Sequence, residues 1–291
     1  MVYGILASRS CLLTDISDQL HETVHKANTV KRLSNHLSEG TPASAAASYL
    51  HTVKRLVPSE PVVLIDESDI VKPDGKQFEA LGIVRDGSES TQTKSVYKKG
   101  YHVTEACVLT ASKHPVSVFS MIHSSVEKDC KSVSTITFDA VKQAAALFGK
   151  ATFVMDRGYD DKKMFLILDK LKQDYVIRIA RTYFSRWWIE EYFRCKKQTY
   201  QLENFRVRKL EAINALNFYI TLAQEELSPE TNTLKVSIIQ EAAPIKEKVS
   251  FCYYRLAKGI SGILSYAKEG IRLWYRTKRP AYRQLCLKLT V

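Results

Sequence analysis

The sequence has no uninterrupted apolar run of the roughly 18 residues that a membrane helix needs. Its nearest approach, residues 210–223, is broken by Glu211, Asn214 and Asn217. The first eleven residues hold too short an apolar stretch for a secretory signal. Cysteines number six, at positions 11, 107, 130, 195, 252 and 286, and none forms a C-x-x-C pair. Such spacing suggests neither a disulfide framework nor a zinc site and suits a reducing compartment. A soluble, cytoplasmic protein is therefore expected. Acids are in deficit: 31 Asp and Glu against 43 Lys and Arg give a net charge of +12. That balance favours a polyanionic partner, because cationic side chains release counterions from phosphates. Between Phe251 and Val291 there are nine Lys or Arg and a single acid, Glu269. A solvated basic surface would account for this tail equally well.

Glycine and proline are sparse, so they punctuate the chain where they occur. Polar–apolar periodicity predicts helices over Ile16–Leu37 and Ala43–Leu56, parted by the turn Glu39-Gly40-Thr41-Pro42. After Pro58 and Pro61, Val62-Val63-Leu64-Ile65 suits a buried strand. Two further β-rich stretches follow, Val96–Thr110 and Val116–Ile122, with residues 86–93 read as a polar loop. Strands and helices then alternate. Phe138–Phe148 is helical, Thr152–Met155 a strand, Lys162–Lys172 a helix capped by Asp160, Tyr175–Ile179 a strand, and Tyr183 to about Thr199 a helix. Leu210–Leu227 is a further apolar helix, residues 228–232 a linker, and the remainder short helices joined at Gly259, Gly262 and Gly270. Three segments are expected: a helical region over 1–58, a central α/β domain over 59–227 and a basic helical region over 228–291.

Three acids fall where such a sheet could present them together. Asp66 ends the first apolar strand, Asp156 ends the fourth, and Glu190 lies on the helix after the fifth. A carboxylate at a strand end has its backbone fixed by the sheet while its side chain meets solvent. Hard oxygen donors held this way suit Mg²⁺, and a pair of such ions can serve phosphoryl transfer. Each acid alone has a plainer explanation, since strand-end Asp caps turns and helical Glu is usually solvated. Asp69 and Glu67 rival Asp66; Asp160 and Asp161 rival Asp156.

The helix beginning at Tyr183 carries the sharpest pattern. At about 100° per residue, Tyr183, Arg186, Glu190, Arg194 and Lys197 lie within about 80° of one another. Trp188, Ile189, Tyr192 and Cys195 fall on the opposite side, ready to pack on a sheet. An amphipathic helix with an Arg186–Glu190 pair would look similar and would gain only a few tenths of a kcal/mol from that pair.

The spacing of Tyr183, Arg186, Glu190 and Lys197 matches the Y-(2)-R-(3)-E-(6)-K signature of the insertion-sequence-four family of DDE transposases. Asp156-Arg157-Gly158-Tyr159-Asp160 resembles that family's second aspartate motif, and Asp66 within Leu64–Asp69 resembles its first. Phe205-Arg206-Val207-Arg208 also looks familial, and the likeness spans about residues 60 to 225. The resemblance implies a ribonuclease-H-like mixed five-stranded sheet with helical additions at both ends. It implies Mg²⁺-dependent (or Mn²⁺-dependent) nicking and strand transfer on double-stranded DNA, within a homodimeric synaptic complex in the bacterial nucleoid. By the same resemblance Asp66, Asp156 and Glu190 hold the metals, and Tyr183, Arg186, Arg194 and Lys197 hold the DNA end. Lys196 is a substitute for Lys197 as a phosphate contact. One departure stands out: many relatives carry a β-rich insertion before this helix, whereas here only Arg181 and Thr182 separate it from the preceding strand. An internally deleted, catalytically impaired copy that only binds DNA is the alternative reading. A ribonuclease-H-like nuclease with another substrate is a third.

Elsewhere, His21 and His25 have metal-ligand spacing, but no Cys or acid completes a set, so a surface helix is expected. Residues 72–76 are expected to form a turn, whose lysines could touch DNA but need not. In the tail, Trp274–Arg283 interleaves aromatics and cations, a mix that suits nucleic acid or snorkelling arginines alike.

Overall fold

A computed structural model describes residues 1–91, 93–111, 113–127, 132–177, 186–225 and 253–277. It is a mixed α/β structure, and its centre is a six-stranded mixed sheet. Four helices lead into it: α1 (Val2–Ser8), α2 (Leu13–Leu20), α3 (Lys26–Ser38) and α4 (Ala43–Leu56). The single helix expected over Ile16–Leu37 is two, because His21 adopts a left-handed conformation that ends α2. His25 then caps α3 by accepting from the Ala27 N–H. The two histidines thus sit on separate elements, and the four-residue spacing that brings ligands together on one helix does not apply.

The strands are β1 (Val62–Val71), β2 (Gly82–Arg85), β3 (Tyr97–Leu109), β4 (Pro115–His123), β5 (Thr152–Met155) and β6 (Asp174–Ile177). β3 pairs antiparallel with β1, β2 and β4. β5 lies parallel to β1 on one side and to β6 on the other. β2 was not expected: it is a four-residue strand with only Ile83 and Val84 as apolar residues. It can lie close because residue 100 is glycine. A Cβ there would meet the Ile70 carbonyl oxygen and the Val84 side chain.

The remaining helices are α5 (Val133–Phe148), α6 (Lys162–Lys170), α7 (Arg186–Thr199), α8 (Leu210–Glu225) and α9 (Tyr253–Thr277). Asp161, not Asp160, takes the N-cap position of α6. The short C-terminal helices expected around the glycines are one 25-residue helix. Gly259 is buried within it.

Strand alternation divides the core between the two sheet faces. Val63, Ile65, Ala106, Val108, Phe153 and Met155 face a cluster completed by α5 and α6. Leu64, Val103, Cys107 and Val154 face the other cluster, which contains Ile189, Tyr192 and Phe193 of α7. Ile5, Ile16 and Leu37 from the first three helices and Leu256 from α9 enter that same cluster. The flanking helices expected as separate additions therefore share apolar packing with the sheet. Among the described residues, no helix is long and apolar enough to cross a membrane.

Candidate functional site

The parallel pairing of β1 with β5 sets Val62 opposite Thr152, Val63 opposite Phe153 and Leu64 opposite Val154. The same offset of 90 positions carries on to Asp66 and Asp156. Asp156 directly follows the end of β5, while β1 runs on through Asp66 to Val71. Asp66 is buried and alternates in phase with Leu64, on the α7 side of the sheet. Asp156 leaves β5 and caps the 3-10 turn Arg157–Tyr159, its Oδ1 accepting from the Gly158 N–H at 2.5 Å. Turn capping, the plain explanation of a strand-end Asp, is therefore real here, and it fixes the carboxylate's orientation.

Asp66 and Asp156 line one cleft of about 300 Å³ together with Glu67, Thr137, Tyr159 and Asp161. Neither Cys nor His is among its lining residues. Glu67 alternates to the opposite face of β1 from Asp66. Its Oε1 accepts from Thr137 Oγ1 at 2.9 Å, and burial raises its pKa. Two positions further along, Asp69 lies 3.0 Å from His102 Nδ1, and this hydrogen bond raises the histidine's pKa. His123, stacked against His102, is pushed down to about 4 by desolvation.

α7 presents the rotation expected of it. Ile189, Tyr192 and Cys195 are buried, while Glu190 and Arg194 are exposed. Glu190 is not among the residues lining the cleft shared by Asp66 and Asp156. No group of three or more His, Cys, Asp or Glu side chains among the described residues is arranged to hold a metal ion. Arg194 pairs with Glu191 of the same helix. Lys197 Nζ donates to the Asp69 carbonyl at 2.5 Å and lies 3.2 Å from Glu203, tying the end of α7 to β1. Tyr183, the Arg186 side chain and the basic–aromatic segment Trp274–Arg283 fall outside the described residues and side chains.

Lys196 corrects an expectation. It is fully buried and ion-paired with the equally buried Glu105 at 2.9 Å, so it is no phosphate contact. Its ammonium also donates to Ser120 Oγ and Asn217 Oδ1. Glu105 stands opposite Asp66 on β3. An isolated acid inside the apolar run Val103-Thr104-Glu105-Ala106-Cys107-Val108 was the available sign of a buried partner. Lys72 is likewise engaged: it donates to the carbonyls of Glu203 and Phe205 and sits 3.9 Å from the Phe205 ring centroid.

No model of a known protein family matches the chain, and no curated protein matches it significantly.

Proposed function

We propose that this chain is a metal-dependent DNA transposase, or the descendant of one, that nicks and joins DNA at the ends of an insertion element. The observation that carries the reading is the pair Asp66, on β1, and Asp156, directly after the end of the parallel neighbour β5, which line one cleft. The order of elements supports a ribonuclease-H-like reading: four antiparallel strands come first, then helix and strand alternate into two parallel strands, β5 beside β1 and β6 beside β5. The helix bearing Glu190 packs on the face toward which Asp66 points.

The donor set fits Mg²⁺ or Mn²⁺, because the cleft offers carboxylate and hydroxyl oxygens and neither thiol nor imidazole. Asp66 and Asp156 would hold the metal, with Glu190 as the third acid. Bound there, such an ion supplies Lewis acidity, acidifying an attacking hydroxyl and neutralising charge at the phosphate. The protein's own contribution is orientation. The Gly158 N–H holds one oxygen of Asp156, and the β1–β3 pairing fixes the Asp66 backbone. Arg194 and Lys197, together with Tyr183 and Arg186, would contact the DNA end by the resemblance, and a second copy of the chain would hold the other end.

The position of Glu190, outside the cleft lining, favours a second reading: a remnant that binds DNA without cutting it. Nicking of insertion-end duplexes with Mg²⁺ or Mn²⁺ separates the two. The enzyme reading expects cleavage that falls more than about 100-fold in Asp66→Asn, Asp156→Asn and Glu190→Gln, with duplex binding retained. Tight binding with no cleavage by the wild type establishes the remnant. Cleavage that survives Asp66→Asn removes the assignment of the site.

A further inference from the structure

The outer end of the sheet carries surface chemistry that the carboxylate site does not use. β3 runs on past the core, and its first residues pair with β2: Ile83 opposite Lys99, and Arg85 opposite Tyr97. These four side chains share one face of a two-stranded ribbon and all are exposed, Ile83 at 66% and Tyr97 at 64%. Alternation along β3 puts Lys99 and Tyr97 in phase with Tyr101, Val103 and Glu105, on the α7 side of the sheet. The opposite face of the ribbon is internally neutralised, because Lys98 pairs with Asp86 and Glu89.

A second strip adjoins it. Phe205 and Val207 turn inward, while Arg206 and Arg208 between and after them are exposed. Phe205 packs near Tyr101, and the Arg208 carbonyl accepts from the Glu79 N–H at 2.9 Å, so the strip is fixed to the ribbon's base. Four cations and two large apolar side chains are thus displayed outward on rigid backbone.

We infer that this ribbon and strip form a second duplex-DNA contact, with Arg85, Lys99, Arg206 and Arg208 on phosphates and Ile83 and Tyr97 against sugars or base edges. Its partner class rests on the DNA-processing reading above. The shape favours B-form duplex: its major groove admits a two-stranded β-ribbon, whereas that of A-form RNA is too deep and narrow. The spacing is also set. Tyr97 is eight residues along β3 from Glu105, which stands beside Asp66, or roughly 27 Å at about 3.4 Å per residue. That span corresponds to about eight base pairs between the carboxylates and the ribbon.

The test is metal-free binding of a 40-base-pair duplex by the full chain, followed by fluorescence anisotropy across a salt series. Arg85→Gln/Lys99→Gln/Arg206→Gln/Arg208→Gln is expected to weaken binding about tenfold or more and to reduce the salt slope by about 3.6. Tyr97→Ala is expected to weaken binding with little change in slope. Lys142→Gln/Lys150→Gln/Lys170→Gln/Lys172→Gln, a matched loss of four charges at exposed sites on other elements, serves as control, and melting curves verify folding of each variant. Binding and slope unchanged in the quadruple variant overturn the inference. So do an equal loss in the control, equal competition by an RNA duplex, or no binding by the wild type. Loss of binding in the quadruple variant alongside a wild type that never cleaves supports this surface while removing the enzyme reading. Intact cleavage with an unaffected quadruple variant does the reverse.

Discussion

At the scale of single residues, rotation about one helix axis decides what a lysine does. Lys196 and Lys197 are neighbours in sequence but about 100° apart on α7. Lys197 shares a side with Glu190; Lys196 shares one with Ile189 and Tyr192. The wheel that aligned Tyr183, Arg186, Glu190, Arg194 and Lys197 contained this information, and the buried position of Lys196 was legible from it. Its partner was less so, because no local rule says which strand will offer a carboxylate to a helix ninety residues later. Lys196→Met is expected to destabilise the fold by about 3–5 kcal/mol, since it leaves Glu105 charged and unpaired in the core. Lys196→Met/Glu105→Gln should recover part of that loss. Urea unfolding of both variants checks this, and equal midpoints for wild type and the single variant would mean that the pair contributes nothing.

Among the elements, β4 pairs with β3 alone of the described strands, and its free edge is closed by side chains. Asn214 of α8 accepts from the Ile122 N–H and donates to the Ile122 carbonyl, both at 2.8 Å, as a neighbouring strand would. Tyr49 of α4 donates to the Ser117 carbonyl at 2.6 Å, and Gln143 of α5 to the Val118 carbonyl at 2.7 Å. Three helices thereby blunt an edge that would otherwise invite pairing with another chain. Asn214→Leu removes both bonds at Ile122 and is expected to cost about 1–3 kcal/mol and to promote self-association. Light scattering beside thermal melts measures the two effects, and an unchanged melt would sink the edge-closing role.

Element legibility follows the strength of local signals. β1 was readable because four apolar residues follow Pro61, and β5 because Thr152–Met155 is a short, mostly apolar run; the two pair in parallel, Leu64 opposite Val154. β2 was not readable, since its two apolar residues gain a strand only through close approach at Gly100, a contact between distant positions. α9 was read as several helices because glycine is a poor helix former. Tertiary burial of Tyr253, Leu256 and Ala257 overrides that weak local preference.

For the whole molecule, stability should depend on pH through Glu225. Burial pushes its carboxyl up to about 8, although Tyr192 and the Ser117 N–H both donate to its Oε1. In the unfolded chain the same group titrates near its ordinary 4.5. Between those values the unfolded state has released a proton that the folded state still holds. Stability is therefore fully present below pH 4.5 and falls as pH rises toward 8, at up to about 1.4 kcal/mol per unit. Glu225→Gln is expected to flatten this stretch of the profile, so that the variant melts above the wild type at pH 8 and close to it at pH 5. Parallel profiles for the two proteins would mean that the slope comes from another group.

The donation from Ser261 Oγ to the Ala7 carbonyl at 2.8 Å joins positions 254 apart in sequence. During synthesis at about 5–20 residues per second, α1 would exist for roughly 13–50 s before α9 emerges to meet it. Ile5 of α1 is fully covered in the finished fold and belongs to the same apolar cluster as Leu256 of α9. The packing of α1 is accordingly completed only once the late helix has been made, however early the sheet collapses.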